Sequence, residues 1–156
     1  MMKDPVDTIL QQWLQVRPDL DCSSMGVVGR VRRTSEQWKK QMEKVFKQHQ
    51  LNSIEFDILA TLRRSQAPLT PTELYQTLML SSGVMSTRIE SLVQRGLLQR
   101  LASEEDRRSC RVELTAEGMA LIDLSVVEHV QNMESMLSPL NKKERDQLAT
   151  LLKKLQ

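Results

Sequence analysis

The stretch TPTELYQTLMLSSGVMSTRIESLVQRG, residues 70–96, decides the fold. Thr70-Pro71-Thr72-Glu73 is a helix start: a hydroxyl at the N-cap, proline at the first helical position, and glutamate three residues after the cap. Leu74, Leu78 and Met79 provide that helix with an apolar face. Leu80-Ser81-Ser82-Gly83 is a tight polar break carrying a second hydroxyl cap. Val84, Ile89, Leu92 and Val93 recur at helical spacing, and Gly96 stands where a helix stops. The pattern is helix, turn, helix. Leu97 to Ala102 then reads as a strand, residues 103–108 as a charged loop, and Ser109 to Leu114 as a returning strand, before Thr115 caps a new helix. A helix-turn-helix followed by a two-stranded ribbon with a basic tip is a winged helix, in a mainly α chain. A helix fits the major groove of DNA, and a thin basic ribbon suits the minor groove.

Composition narrows the partners. The net charge of the 156 residues is only +2, so a nucleic-acid surface must come from local clustering. Aromatic residues make up 3%, which argues against single-strand binding by base stacking. Two cysteines far apart in sequence, with no signal peptide, predict a reduced cytoplasmic protein without disulfides. No apolar run reaches the roughly 20 residues needed to span a bilayer. His49 and His129 stand apart from any cysteine and show no metal-ligand spacing, and no glycine-rich phosphate loop occurs. The chain reads as neither an enzyme nor a cofactor carrier.

Outward from the motif, Asp4-Pro5 starts a short helix with Val6, Ile9, Leu10, Trp13 and Leu14 on one face, ended by Pro18. Ser23 or Ser24 can cap a long helix that runs to about Gln48. Asn52 and Glu55 form a capping pair for a helix over Ser53–Arg64, with Ile54, Ile58, Leu59 and Leu62 as its core face. Asp57 falls at the edge of that stripe, an expensive position for a carboxylate. Beyond the wing, Ala116 to about Leu137 is a helix whose apolar surface is too broad for the outside of a monomer. Asn141 with Glu144 caps a last helix striped by Leu148, Leu151, Leu152 and Leu155. One domain over 1–156 is expected, with a winged-helix core at about 52–118 and association helices at about 4–49 and 116–156.

In the second helix of the motif, Ser82 and Gly83 at its start and Ser86, Thr87, Glu90 and Gln94 point away from the apolar stripe. Small polar side chains there admit close approach to base edges. Arg88, four residues from both Val84 and Leu92, instead falls on the inner stripe. In the wing, Asp106 and Arg108 share a face of an extended ribbon, where the carboxylate can hold the guanidinium outstretched. Arg107 and Arg111 are placed to meet phosphates.

Asp106-Arg107-Arg108-Ser109, with RGLLQR before it and ELTAEG after it, resembles the wing of the MarR family of bacterial regulators. The resemblance covers nearly the whole chain. It implies a symmetric dimer built by the terminal helices, double-stranded DNA as partner, and Arg108 placed in the minor groove with Asp106 as its support. QQW followed by RPDLD, with EFDILATLRR and STRIESL, looks like the urate-responsive branch of that family that contains PecS and HucR. Its ligand residues fall on Trp13, Asp57, Arg88 and Arg100. The resemblance implies that Arg88 and Trp13 hold urate or a related anionic aromatic, whose charge repels Asp57, breaks an Asp57–Arg100 link and moves the recognition helix. The expected function is a homodimeric repressor released from a pseudo-palindromic operator by such an effector. Cys22 raises an alternative, a thiol-based redox repressor, although the tyrosines that surround such thiols in peroxide-sensing relatives are missing. A purely helical interaction protein is a third reading, which the wing opposes.

Overall fold

The computed structural model describes residues 3–102 and 110–156. Among the described residues the order is α1 (Pro5–Val16), α2 (Ser23–Gln48), α3 (Ser53–Ser65), α4 (Pro71–Leu78), α5 (Ser82–Gln94), β1 (Leu98–Ala102), β2 (Cys110–Leu114), α6 (Ala116–Met136) and α7 (Lys142–Lys153). The chain divides into two compact units, residues 1–41 and 42–156.

In the first unit, Asp4 caps α1 and shares its charge with Arg30 of α2, whose guanidinium also reaches Asp7 at 2.7 Å. Val6 packs over Gly29. The start of α2 corrects the sequence reading. The helix begins at Ser23, and it is the Asp21 carboxylate, not a serine, that accepts the Ser23 N–H at 2.9 Å. Those hydrogen bonds hold the Asp21 carboxyl below its ordinary range.

The second unit holds the winged helix. Both caps read from sequence form as expected: Thr70 and Glu73 close a reciprocal capping box on α4, and Ser81 accepts from the N–H of Val84 at the start of α5. Gly96 takes φ of +71° past the end of α5, a conformation that costs glycine little. The core is built from Ile58, Leu59 and Leu62 of α3, Leu74 of α4, Met85, Ile89 and Leu92 of α5, Leu98 and Val112 of the wing, and Ile122 of α6. Burying side chains of this size contributes roughly 1.5–3 kcal/mol each.

Two apolar expectations fail. Val84 is 40% exposed, and Met85 takes its place in the core, so the buried row of α5 runs Met85, Ile89, Leu92. Met79 is not part of the α4 face. It is the left-handed C-cap, at φ +52°, and 92% exposed.

The wing is an antiparallel pair in the register Leu98↔Leu114 to Ala102↔Cys110. Its root is held twice. Leu69, in the α3–α4 connection, exchanges both backbone hydrogen bonds with Val112, at 3.0 and 2.8 Å. On the other side Thr115 donates its hydroxyl to Gly96 O at 2.7 Å and its N–H to Leu97 O at 3.2 Å. The backbone of α6 lies so close there that a Cβ on Gly118 would come within 2.0 Å of the Leu97 carbonyl oxygen.

Candidate nucleic-acid and effector sites

The caps aim α5. Because Met85, Ile89 and Leu92 face inward, the opposite side of the first two turns carries Ser82, Gly83, Val84, Ser86 and Thr87, all exposed. A Cβ added at Gly83 would meet nothing within 4 Å. The Thr87 hydroxyl bonds back to Gly83 O at 3.1 Å. The surface is small, polar and free of bulky side chains apart from the Val84 methyls. Arg88 lies at the margin of the inner stripe: its side chain is 41% exposed, and its Nη1 stands 4.0 Å from the buried Glu55 carboxylate.

Glu90, expected among the DNA-facing residues, is exposed and engaged within the protein. It accepts from Arg100 of β1 at 2.8 Å and from Gln94 at 3.3 Å. The Glu90–Arg100 pair joins α5 to β1. Both partners are well exposed, so the pair contributes little to stability but restrains their orientation. Arg111 on β2 is exposed and donates to Pro68 O at 3.3 Å. Asp106, Arg107 and Arg108 lie outside the described residues.

The four residues expected to bind an effector are distributed as follows. Trp13 lies on α1 in the first unit, 37% exposed. Arg88 and Arg100 belong to the second unit, on α5 and β1, and Asp57 is there too, on α3. Among the described residues no ion pair joins Asp57 to Arg100, which binds Glu90 instead, so the expected link between them is corrected. Asp57 is exposed as a residue, yet surrounding protein desolvates its carboxyl and raises its pKa, against the opposing pull of Arg64 and His129. His129 packs against Phe46 and Phe56, with ring centroids 5.1 and 5.0 Å away. Burial lowers its pKa, and the Asp57 charge counters part of that. Its Nδ1 is buried and meets no hydrogen-bonding atom among the described residues. A cleft of about 440 Å³ opens at the C-terminal end of α3, lined by Leu62, Arg63, Gln66, Pro68, Glu113 and Met119; none of the four expected ligand residues borders it.

Sequence reasoning missed Glu55. The sequence pattern marks it only as a capping residue, and it does cap: Oε2 accepts the Asn52 N–H at 3.1 Å. The same carboxylate is 5% exposed and turned toward α5. Arg95 Nη1 stands 3.3 Å from Oε2, the Ser91 hydroxyl 3.4 Å from Oε1, and Arg88 Nη1 4.0 Å from Oε1. Arg95, the C-cap of α5, donates a further bond to Gln50 O at 2.7 Å. The available signal was a capping glutamate preceding a helix that carries two arginines seven residues apart, and it does not specify which helices meet. Cys22 is buried and Cys110 half-buried, and both are free thiols.

Residues 49–109 match the sequence profile of the MarR family. The chain is 43% identical to the HTH-type transcriptional regulator PecS of Dickeya dadantii over 149 residues, covering 94% of this chain and 90% of that protein. It is 30% identical to MhqR of Bacillus subtilis, across 73% of this chain and 78% of the relative. Among solved structures, apo wild-type MarR of Escherichia coli superposes with a TM-score of 0.71 at 25% identity, over 81% of this chain and 95% of that one. Bordetella bronchiseptica BpsR, whose DNA binding is regulated by 6-hydroxynicotinic acid, superposes at 0.72 with 26% identity, over 83% and 98%. A mutant MarR of Escherichia coli complexed with operator DNA shares the fold at 0.72 over 92% of this chain and 96% of that one, at 22% identity.

Proposed function

Because this chain belongs to the MarR family of transcriptional regulators, we propose that it acts as a homodimeric repressor released from its operator by an anionic aromatic effector. It is a DNA-binding regulator and not an enzyme. The observation that carries the reading is the exposed, small and polar outer face of the first two turns of α5, held up by a core row on the other side. In this reading Ser82, Gly83, Ser86 and Thr87 approach base edges, with Glu90 one turn further along, and Arg107, Arg108 and Arg111 meet the backbone and minor groove, with Asp106 supporting Arg108. A dimer doubles this face, so the operator is a pseudo-palindrome with half-sites about one helical turn, roughly 10 base pairs, apart.

The effector is an aromatic anion, with urate the leading candidate. Arg88 supplies the cation, Trp13 the aromatic surface, and Asp57 and Arg100 complete the set. Support comes from Arg88 itself, whose side chain is partly exposed and whose Nη1 stands 4.0 Å from the Glu55 carboxylate, beyond hydrogen-bonding distance. The regulation of BpsR by 6-hydroxynicotinic acid supports an effector of this class. An effector works only by preferring the DNA-incompetent shape, and 100-fold weaker DNA binding requires a preference of about 2.7 kcal/mol.

The test is a fluorescence-polarisation titration of an operator duplex with and without urate, run beside a peroxide. Urate releases the wild-type protein, Arg88→Ala no longer binds urate, and Cys22→Ser responds as wild type does. If Cys22→Ser loses the response while Arg88→Ala keeps it, the anion reading is wrong and the thiol governs release.

A further inference from the structure

We infer that Glu55 is a positioning residue for the recognition helix, and that the carboxylate opposing an effector anion at Arg88 is Glu55, not Asp57. The inference deepens the effector reading above and rests on it for the ligand arm only.

The geometry has three parts. First, Glu55 belongs to α3 and is almost wholly shielded, while among the described residues the charged groups that pair with it come from α5 and its C-cap. A buried carboxylate without partners is costly, so α5 is favoured only in positions that keep Arg95 and Ser91 on it. Second, the hold is concentrated at the C-terminal end of α5. Arg95 bridges Glu55 and Gln50 O, which ties that end to the α2–α3 connection and to the first turn of α3. The first two turns of α5, which carry the DNA-facing residues, project from this anchored end. A small rotation there displaces Ser82 to Thr87 further. Third, the charges do not balance: one carboxylate faces two guanidiniums, and Arg88 is the less engaged, with no hydrogen bond to Glu55. An anion drawn to Arg88 from solvent therefore arrives beside the Glu55 carboxylate. Like charges at such separation in a shielded setting repel strongly. The repulsion is relieved by moving α5 and its arginines relative to Glu55, which is the DNA-incompetent shape. Asp57 lies elsewhere on α3: the charged groups acting on it are Arg64 and His129, and neither belongs to α5.

The test compares Glu55→Gln with Asp57→Asn in the full-length protein. Glutamine keeps an acceptor for the Asn52 N–H and removes the charge. Ligand-free operator affinity, its salt dependence, urate affinity by calorimetry, and the ratio of operator affinities with and without urate are measured. Glu55→Gln is expected to bind operator about tenfold more weakly with an unchanged salt slope. It is also expected to bind urate about fivefold more tightly, and to show a release ratio within about threefold of one. Asp57→Asn, at a residue of the proposed effector set, is expected to shift urate affinity while the ratio of operator affinities with and without bound urate stays that of wild type. Tighter urate binding is an outcome that mere loss of structure cannot produce. A wild-type release ratio in Glu55→Gln overturns the inference, as does an Asp57→Asn that alone uncouples. If the wild-type protein does not bind urate, the effector reading fails by itself. The positioning role then stands or falls on the ligand-free arm: a tenfold loss of operator affinity in Glu55→Gln supports it, and no loss overturns it. Should Glu55→Gln not fold, Arg95→Gln at the more exposed end of the pair takes its place for the positioning arm: a tenfold loss of operator affinity with release by urate retained supports the inference, and unchanged operator affinity overturns it.

Discussion

Gly118 shows how one residue can anchor a functional element. Its Cα–H lies against the Leu97 carbonyl, where a methyl group would be 2.0 Å from the oxygen, and the obstacle is backbone at the turn into the wing. Neither side can give way cheaply, so Gly118→Ala costs about 1–3 kcal/mol or more as an overpacking change. For a chain of this length that corresponds to a fall of roughly 2–4 °C in Tm per kcal/mol, readable by differential scanning fluorimetry. A wild-type Tm would mean that the wing root does not press on α6. His129 provides a second residue-scale prediction. Its folded-state pKa is lowered, chiefly by burial among Phe46 and Phe56. A depressed folded pKa contributes stability that is present above the unfolded value near 6.5 and lost as pH falls through the folded value. The Asp57 carboxyl has the opposite sign: raised in the folded state, it contributes stability below its unfolded value that is lost as pH rises through the folded one. His129→Leu is therefore expected to lose less stability than wild type between pH 7 and pH 5, measured as the change in urea midpoint. An equal loss in both proteins would remove His129 from the acid response.

At the scale of elements, the recognition helix and wing are coupled by Glu90–Arg100 and by a shared root at Leu69, Gly96 and Leu97. The two proposed DNA contacts are nevertheless different in kind. Ser86→Glu would put a carboxylate on the outer face of α5 without touching the core, since Ser86 is exposed. It should abolish specific binding while leaving Tm unchanged, and retained operator affinity in a gel shift would take that face off the DNA. Arg108→Ala is expected to weaken binding most at low salt, and to reduce the slope of log affinity against log salt by about 0.9, the value for one phosphate-like contact. An unchanged slope and affinity would place Arg108 away from DNA.

At the scale of the whole molecule, α6 and α7 carry rows of exposed apolar side chains. On α6, Leu124, Val127 and Val130 are 55%, 53% and 47% exposed, and on α7 Leu151 and Leu152 are 51% and 37% exposed. In the proposed dimer a second copy covers such stripes, which offsets their contact with water and makes dimerisation part of stability. Replacing Leu148 and Leu152 together by Asp is expected to give monomers or unfolded chains in analytical ultracentrifugation, because a buried seam does not tolerate two isolated charges. A stable dimer that still binds operator would rule out α7 as that seam.

The sequence by itself determined the order and ends of the winged-helix elements. Thr70 with Glu73, Asn52 with Glu55, Asn141 with Glu144, and Ser81 each close hydrogen bonds within three residues of themselves, so no distant part of the chain can change the answer. The small polar face of α5 was legible for the same reason, since helical periodicity is local. The tertiary structure decided what depends on how α5 is rotated and against what. Val84 and Met85 are adjacent apolar residues with near-equal claims to the core, and packing against α3 and α4 chose Met85. That rotation set Arg88 at the margin and brought Arg95 and Ser91 onto Glu55, across 40 and 36 residues of chain. Arg100 found Glu90 through the return of the strand beside α5, while Asp57 stayed apart. A capping glutamate looks the same in sequence whether its far side meets water or two guanidiniums, because that difference belongs to the neighbouring helix.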